Sequence, residues 1–428
     1  MQKNCRAESH SCLSYTEPAS VPAPVLALSS RTRRMLVLFL GGMVAINLFL
    51  YWSARDLVLS GSNDFMHLWV AGRMTRLGQG ANLYDSASQF AMQSEHSRFV
   101  RSAGAPYPYL RPAFEALLFV PFSYLPLQAA YLLWTAVNVL MLLVTWSRIA
   151  PAVSALRGLG VYVWLLACLA FFPVIAALMQ GQDDILLLLL FTLAFLALRR
   201  QDDVWAGSWM GLALFRPQFA LPVIFIVACS RRWKFVLGVI FAALGLMGLT
   251  AGVYGWRMLL DYLPSLRSAE QTLNHDQSFI SHMSNLHGLF STFLAGHLPS
   301  SAISLLVVVI SAVLCVVAAL SYAKHFRNSL DLAFSSAVLT AILVSYHAFA
   351  PDFSLLLLPV LLQANWLLTE WRPPALRWVL LLPTLALFLT PIYCLLIFHG
   401  LFSLYALVLV VSLAGSLRAC QTQRYSAA

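Results

Sequence analysis

The chain has 428 residues, of which 60% are hydrophobic and only 10% charged, with a formal net charge of +10. Composition this apolar, arranged in runs long enough to cross a bilayer, excludes a water-soluble globule and predicts an all-α polytopic membrane protein. The basic excess gathers on one side of the membrane in the reading below, so it orients the protein and calls for no nucleic acid; the seven cysteines, all in tails or apolar runs, supply neither a disulfide framework nor a CxxC metal site.

Residues 1–33 are polar, with Pro18, Pro22 and Pro24 and a basic end at Arg31, Arg33 and Arg34, and read as a disordered cytoplasmic tail. The first span, Met35 to about Ser53, leads out to a large loop, 54–112. There Asp64 stands before Phe65, Leu68, Trp69 and Gly72 at helical spacing, with His67, Arg73 and Arg76 off that stripe. This pattern predicts a short amphipathic helix lying in the membrane interface and ended by Gly78 and Gly80. Ser62-Asn63-Asp64 before an apolar run is also an ordinary helix start, so Asp64 reads equally well as a cap. A second polar helix from about Ser86 to Arg101 and the turn "APYPYLRP" complete the loop.

Beyond Pro121 and Pro126 a span runs from about Gln128 to Trp146, the next from Val161 to Leu178 out to "QGQDD", and the next from Ile185 to Leu198 back to Arg199 and Arg200. Too few residues separate those arginines from Arg231, Arg232 and Lys234 for two full spans. The segment therefore reads as half-helices 204–214 and 217–230, with Arg216 and Pro217 near the outer face. Phe235–Tyr254 leads to a second outer loop, 255–299, followed by spans near 301–322, 332–346, 353–368, 376–394 and 400–417. The sum is about twelve crossings in an integral-membrane domain, 34–418, with two large extracytoplasmic loops carrying amphipathic helices. A short tail, 419–428, leaves both termini cytoplasmic. On this topology 18 of the 27 Lys and Arg fall inside against six of the 17 Asp and Glu, the bias expected of an inner side. No internal repeat is visible, which weakens a transporter built from inverted halves.

Five polar clusters converge on the outer side: Asp64; Tyr107, Tyr109 and Arg111; Gln180, Gln182, Asp183 and Asp184; Arg216 and Gln218; and His347 with Asp352. Ionisable groups at membrane depth are expensive and point to function, although loop capping and helix packing are the plain alternatives for each cluster. Guanidiniums that fork onto phosphate oxygens, beside a carboxylate able to take a hydroxyl proton, suit a phosphorylated lipid whose tail stays in the bilayer. Arg216, with Arg111, is the expected phosphate contact. Asp64, Asp183, Asp184 and Asp352 would supply oxygen ligands to a divalent cation if they meet, but their spacing has no ligand signature.

The ordered series "DF" with "AGRMTRLGQGANLYD", "YPYLRPAFEALLFVPFSYLP", "QGQ", "GLALFRPQ", "SNLHGL" and "HAFAPDFSLLLLP" resembles glycosyltransferase family 87 from about residue 35 to 370. The resemblance implies the C-type glycosyltransferase fold and a polyprenyl-phosphate sugar as donor, mannose or a related hexose or pentose. It also implies transfer with inversion to a lipid or glycan acceptor on the extracytoplasmic face of the cell inner membrane. It makes Asp64 the catalytic base, and Gln180, Gln182, Asp183, His347, Asp352, Asn285 and Tyr109 substrate contacts. Departures are Leu110-Arg111-Pro112 where the family commonly has Tyr-Pro-Pro, Asp183 and Asp184 where Asn usually follows Gln-Gly-Gln, Arg216 where Lys precedes Pro, and Ala350-Pro351 where Tyr is frequent. Two other readings stand beside it. A secondary transporter or flippase of lipid-linked or anionic substrates would place charges at mid-span, and a membrane glycan polymerase or ligase would share substrate and leaflet.

Overall fold

The computed structural model describes residues 29–273, 277–369 and 374–422, so the expected tail falls outside it up to residue 28, as do residues 423–428. Among the described residues all regular structure is helical. Helix α1 (Ser30–Leu59) starts where Ser29 accepts the Thr32 amide at 3.1 Å. Its 30 residues are longer than a hydrocarbon core of about 30 Å requires, so it continues past the membrane.

The helix expected in the membrane interface, α2 (Phe65–Arg76), is instead inside the protein. Every residue from Phe65 to Gly72 is buried, the polar face with the apolar stripe. The cause lies further along the loop. After α3 (Ser86–His96) and α4 (Arg98–Ala103), which split the second polar helix at Ser97, the chain returns as α5 (Phe114–Phe119) and a 3₁₀ turn at Phe122–Tyr124, and both pack on α2. The approach is close enough that a Cβ on Gly72 would lie 2.5 Å from the Phe119 carbonyl, so only glycine fits there.

α6 (Leu127–Ile149) and the short turn α7 (Ser154–Arg157) lead to a bent span, α8 (Gly160–Ala170) and α9 (Phe172–Gln180), which meet at 72°. Pro173 has no N–H to donate to the Leu169 carbonyl, and Asn47 of α1 donates to that carbonyl at 2.8 Å instead. α10 (Asp184–Arg199), α11 (Asp203–Leu212), α12 (Pro217–Ala228) and α13 (Trp233–Tyr254) follow. The second loop holds α14 (Arg257–Leu273), α15 (Gln277–Ser281) and α16 (Leu286–Leu294).

α17 (Ser300–His325), α18 (Leu330–Val344) and α19 (Leu357–Thr369) complete the core. A second bent span, α20 (Pro374–Phe388) with α21 (Thr390–Phe398) at 70°, and α22 (Tyr405–Thr422) close the chain. Asn47 reaches this bend too, accepting Thr390 Oγ1 at 2.8 Å, so one buried amide joins both broken helices to α1. α18 lies at the centre, buried from Leu332 to Leu343 and packed on α12, α17, α19 and α22.

Six of these helices are long and apolar enough to cross a membrane, or eight if each bent pair is one span. The larger number expected from apolar runs counts pieces such as α12, α18 and the 16-residue α10, which fall short of the roughly 20 residues a perpendicular crossing takes. The last helix runs to Thr422, past the expected start of the terminal tail.

Candidate active site

The helix breaks bring the polar clusters to one place. Asp64 takes the N-cap position of α2, yet its side chain makes no capping bond. Its backbone amide donates to Gln180 Oε1 at 3.2 Å, and its carboxylate oxygen Oδ2 accepts from Gln182 Nε2. Both glutamines flank Gly181, whose φ of +63° ends α9 in the left-handed region. Trp134 Nε1 donates to the Gly181 carbonyl at 3.0 Å and fixes the turn from the other side.

The "APYPYLRP" turn is held by α3. Gln93 donates to the Tyr107 carbonyl and accepts the Tyr107 amide, each at 2.8 Å, as a neighbouring strand would, and Gln89 accepts the Tyr109 amide at 2.9 Å. These bonds serve a proline-rich segment that cannot satisfy itself. Arg111 follows, its carbonyl held by Tyr84 Oη at 3.0 Å.

Arg216 sits where Pro217 forces the chain out of helical conformation between α11 and α12 (φ −117°, ψ 70°). Its guanidinium is surrounded by acid. Asp183 Oδ1 lies 2.8 Å from Nε and 2.5 Å from Nη2, Asp352 Oδ1 2.9 Å from Nη1, and Asp184 Oδ1 3.1 Å from Nη2. Nη2 also donates to Gln182 Oε1 at 3.2 Å, so Gln182 bridges Asp64 and Arg216. Arg111 is more loosely placed, 3.8 Å from Asp183 and 3.9 Å from Glu115. The remaining oxygen of Asp352 accepts the Phe349 amide at 2.7 Å, which ties the 345–352 loop to the same hub.

These groups face a cavity of about 360 Å³ whose lining includes Asp64, Arg111, Gln182, Arg216, His347 and Asp352. The other expected contacts stand behind it. Asp183 is fully buried against the arginines, Gln180 holds the Asp64 backbone, and Tyr109 is buried with its hydroxyl on the Pro112 carbonyl. Asn285 caps α16 through the Gly288 amide at 2.8 Å and donates to the Ser345 carbonyl at 2.6 Å, so its amide is already engaged.

His67 and Tyr107 line the cavity as well. Glu115, fully enclosed beside Asp183, was not singled out by the sequence, and its one signal was standing four residues after Arg111 in an apolar run.

Burial sets the protonation of this cluster. It raises the Asp64 carboxyl above its ordinary value, with the Gln182 hydrogen bond and the charges of Arg111 and Arg216 acting the other way. Burial and the neighbouring Asp183 push the Glu115 carboxyl well above its ordinary value. Asp183 is held below its usual value because Arg216 and Arg111 outweigh its burial. Burial, helped by Arg111, lowers His67 to about 3, and burial with His287 and Arg111 lowers His347 to about 4; both rings are neutral. Asp183, Asp184 and Asp352 all turn to Arg216, so they form an acid cage around a cation that belongs to the protein. Among the described residues no group of three or more His, Cys, Asp or Glu has the arrangement of a metal site.

A helical membrane protein whose ionisable groups leave mid-span and gather around one cavity at the helix ends has the organisation of a membrane-embedded transferase. The glycosyltransferase family 87 model matches residues 109–349, more than half of the chain, and the chain belongs to that family, a membrane glycosyltransferase. The match takes in Arg111, Gln182, Asp183, Arg216 and His347 and leaves Asp64 and Asp352 outside. Searches of curated proteins and of solved structures find no match.

Proposed function

We propose that this protein transfers a sugar with inversion from a polyprenyl-phosphate donor to a hydroxyl of a lipid or glycan acceptor, on the extracytoplasmic face of the inner membrane. The observation that carries the reading is the Asp64 carboxylate. It stands at a helix start without capping it, is oriented by two glutamines, and lines a cavity that Arg111 and Arg216 also line.

In the reaction the acceptor oxygen bonds to the anomeric carbon as its proton passes to Asp64. The bond from that carbon to the phosphate oxygen breaks on the opposite face, and polyprenyl phosphate leaves with the electron pair. A carboxyl raised by burial is a stronger base than an exposed one, provided it is ionised at the working pH. Arg111 is the first contact for the phosphate, because the donors of Arg216 are largely occupied by carboxylates. Arg216 faces the same cavity and adds its field.

An apolar groove of about 510 Å³ between α1, α9 and α21 is lined in part by Gln180, whose side chain holds Asp64. Its chemistry suits the prenyl chain. The outer face is favoured by the distribution of Lys and Arg along the chain.

The test supplies purified protein with synthetic polyprenyl-phosphate mannose and related polyprenyl-phosphate sugars, together with candidate acceptors. Release of polyprenyl phosphate and a product of inverted anomeric configuration are expected. A product with retained configuration, or consumption of sugar nucleotides in place of the lipid-linked donors, contradicts the proposal.

A further inference from the structure

Helix α10 begins in the acid cluster and ends, about 24 Å away at 1.5 Å per residue, beside a second polar cavity with no part in the chemistry above. This cavity, of about 340 Å³, lies where the ends of α6, α10 and α11 meet, and Arg148, Arg200, Asp202, Trp205 and Trp209 line it. Its arginines differ from their neighbours. Arg199 is bound to the Ala152 carbonyl at 3.1 Å and to Asp331 at 3.3 Å, and Arg232 to Asp203 at 2.5 Å. Among the described residues, by contrast, the side chains of Arg148 and Arg200 have neither a hydrogen bond nor an ion pair.

With Asp202 the one carboxylate in the lining, the cavity keeps a positive surplus. Trp205 and Trp209 stand one turn apart on α11 with ring centroids 5.9 Å from each other, and Trp205 is 58% exposed. Tryptophan at a helix end beside arginine is the pairing that favours the boundary between headgroups and acyl chains. Arginines that only orient a protein need no shared cavity. These two converge on one whose remaining wall, Leu193, Leu196 and Ala197, is apolar.

We propose that this cavity holds the headgroup of an anionic phospholipid from the leaflet opposite the catalytic cavity. Arg148 and Arg200 take the phosphate oxygens, and Trp205 and Trp209 cover the glycerol and the first acyl carbons. The apolar wall and exposed indole favour a lipid over free phosphate, for which half of the lining would be wasted.

The test is native mass spectrometry of the full chain in neutral detergent, titrated with phosphatidylglycerol or phosphatidylcholine. Wild-type protein should retain one more phosphatidylglycerol than phosphatidylcholine. Arg148→Gln with Arg200→Gln should weaken that retention at least about tenfold, as the loss of two charge-assisted bonds implies. Trp205→Ala should weaken it less, and Arg157→Gln, outside the cavity, should not change it. Equal retention of the two lipids, or an unaltered phosphatidylglycerol count in both the arginine and the tryptophan variants, overturns the proposal. So does displacement of the lipid by millimolar inorganic phosphate, which would mark a site for the free anion.

Discussion

The candidate cavity is bordered by acidic groups buried to opposite ends. Asp64 has amide partners only, Gln182 at its carboxylate and Gln180 at its backbone, and burial raises its pKa. Around Arg216, by contrast, Asp352 in the lining and Asp183 and Asp184 behind it close on the guanidinium. A buried carboxylate that lacks its own cation keeps basicity for a substrate proton. One that has a cation spends its charge on architecture. Gln182 joins the two, donating to Asp64 and accepting from Arg216.

The largest expected effect is at Arg216. Arg216→Ala strands three acids without their cation, and breaking a buried pair costs about 3–5 kcal/mol, so the variant should lose much of its thermal stability and yield. Arg216→Lys should recover part of it. An Arg216→Ala protein that melts like wild type would show that the acids are not held by this pairing. Arg111, with longer contacts, should behave differently: Arg111→Ala should melt near wild type and bind a polyprenyl-phosphate sugar about 10- to 100-fold more weakly, the range of a charge-assisted hydrogen bond. Equal donor affinity in a binding titration would take the phosphate away from Arg111.

The smallest effect concerns Gln182. Its hydrogen bond favours the charged form of Asp64, so Gln182→Ala should raise the Asp64 pKa further. Because the proposed reaction needs Asp64 ionised, the acid limb of the kcat/KM profile should move to higher pH, with a few-fold loss at neutral pH. An unmoved limb would mean that another group sets it.

Much of this arrangement could be read from residues in sequence. Pro217 and the shortage of residues between two basic clusters located the broken helix at Arg216, and the prolines of 105–112 located the turn that carries Arg111. The surroundings of each group could not be read. A stripe on α2 reports which residues are apolar, while its burial depends on α5 returning some 40 residues later, as the ranges of the two helices show. Arg216 meets its acids across 33 residues to Asp183 and 136 to Asp352, separations at which spacing carries no signal. Glu115 looks like an ordinary helix residue until Asp183 lies against it, and Asn47 shows nothing of the two helix bends it joins.

The central claim is that Asp64 is the base, and Asp64→Asn tests it most directly. The side chain makes no capping bond and Asn can still accept from Gln182, so the variant should fold and bind the lipid-linked donor as wild type does. Its single-turnover transfer should fall by about 10²-fold or more, the contribution of a general base. Transfer at close to the wild-type rate, with donor affinity unchanged, would contradict the account.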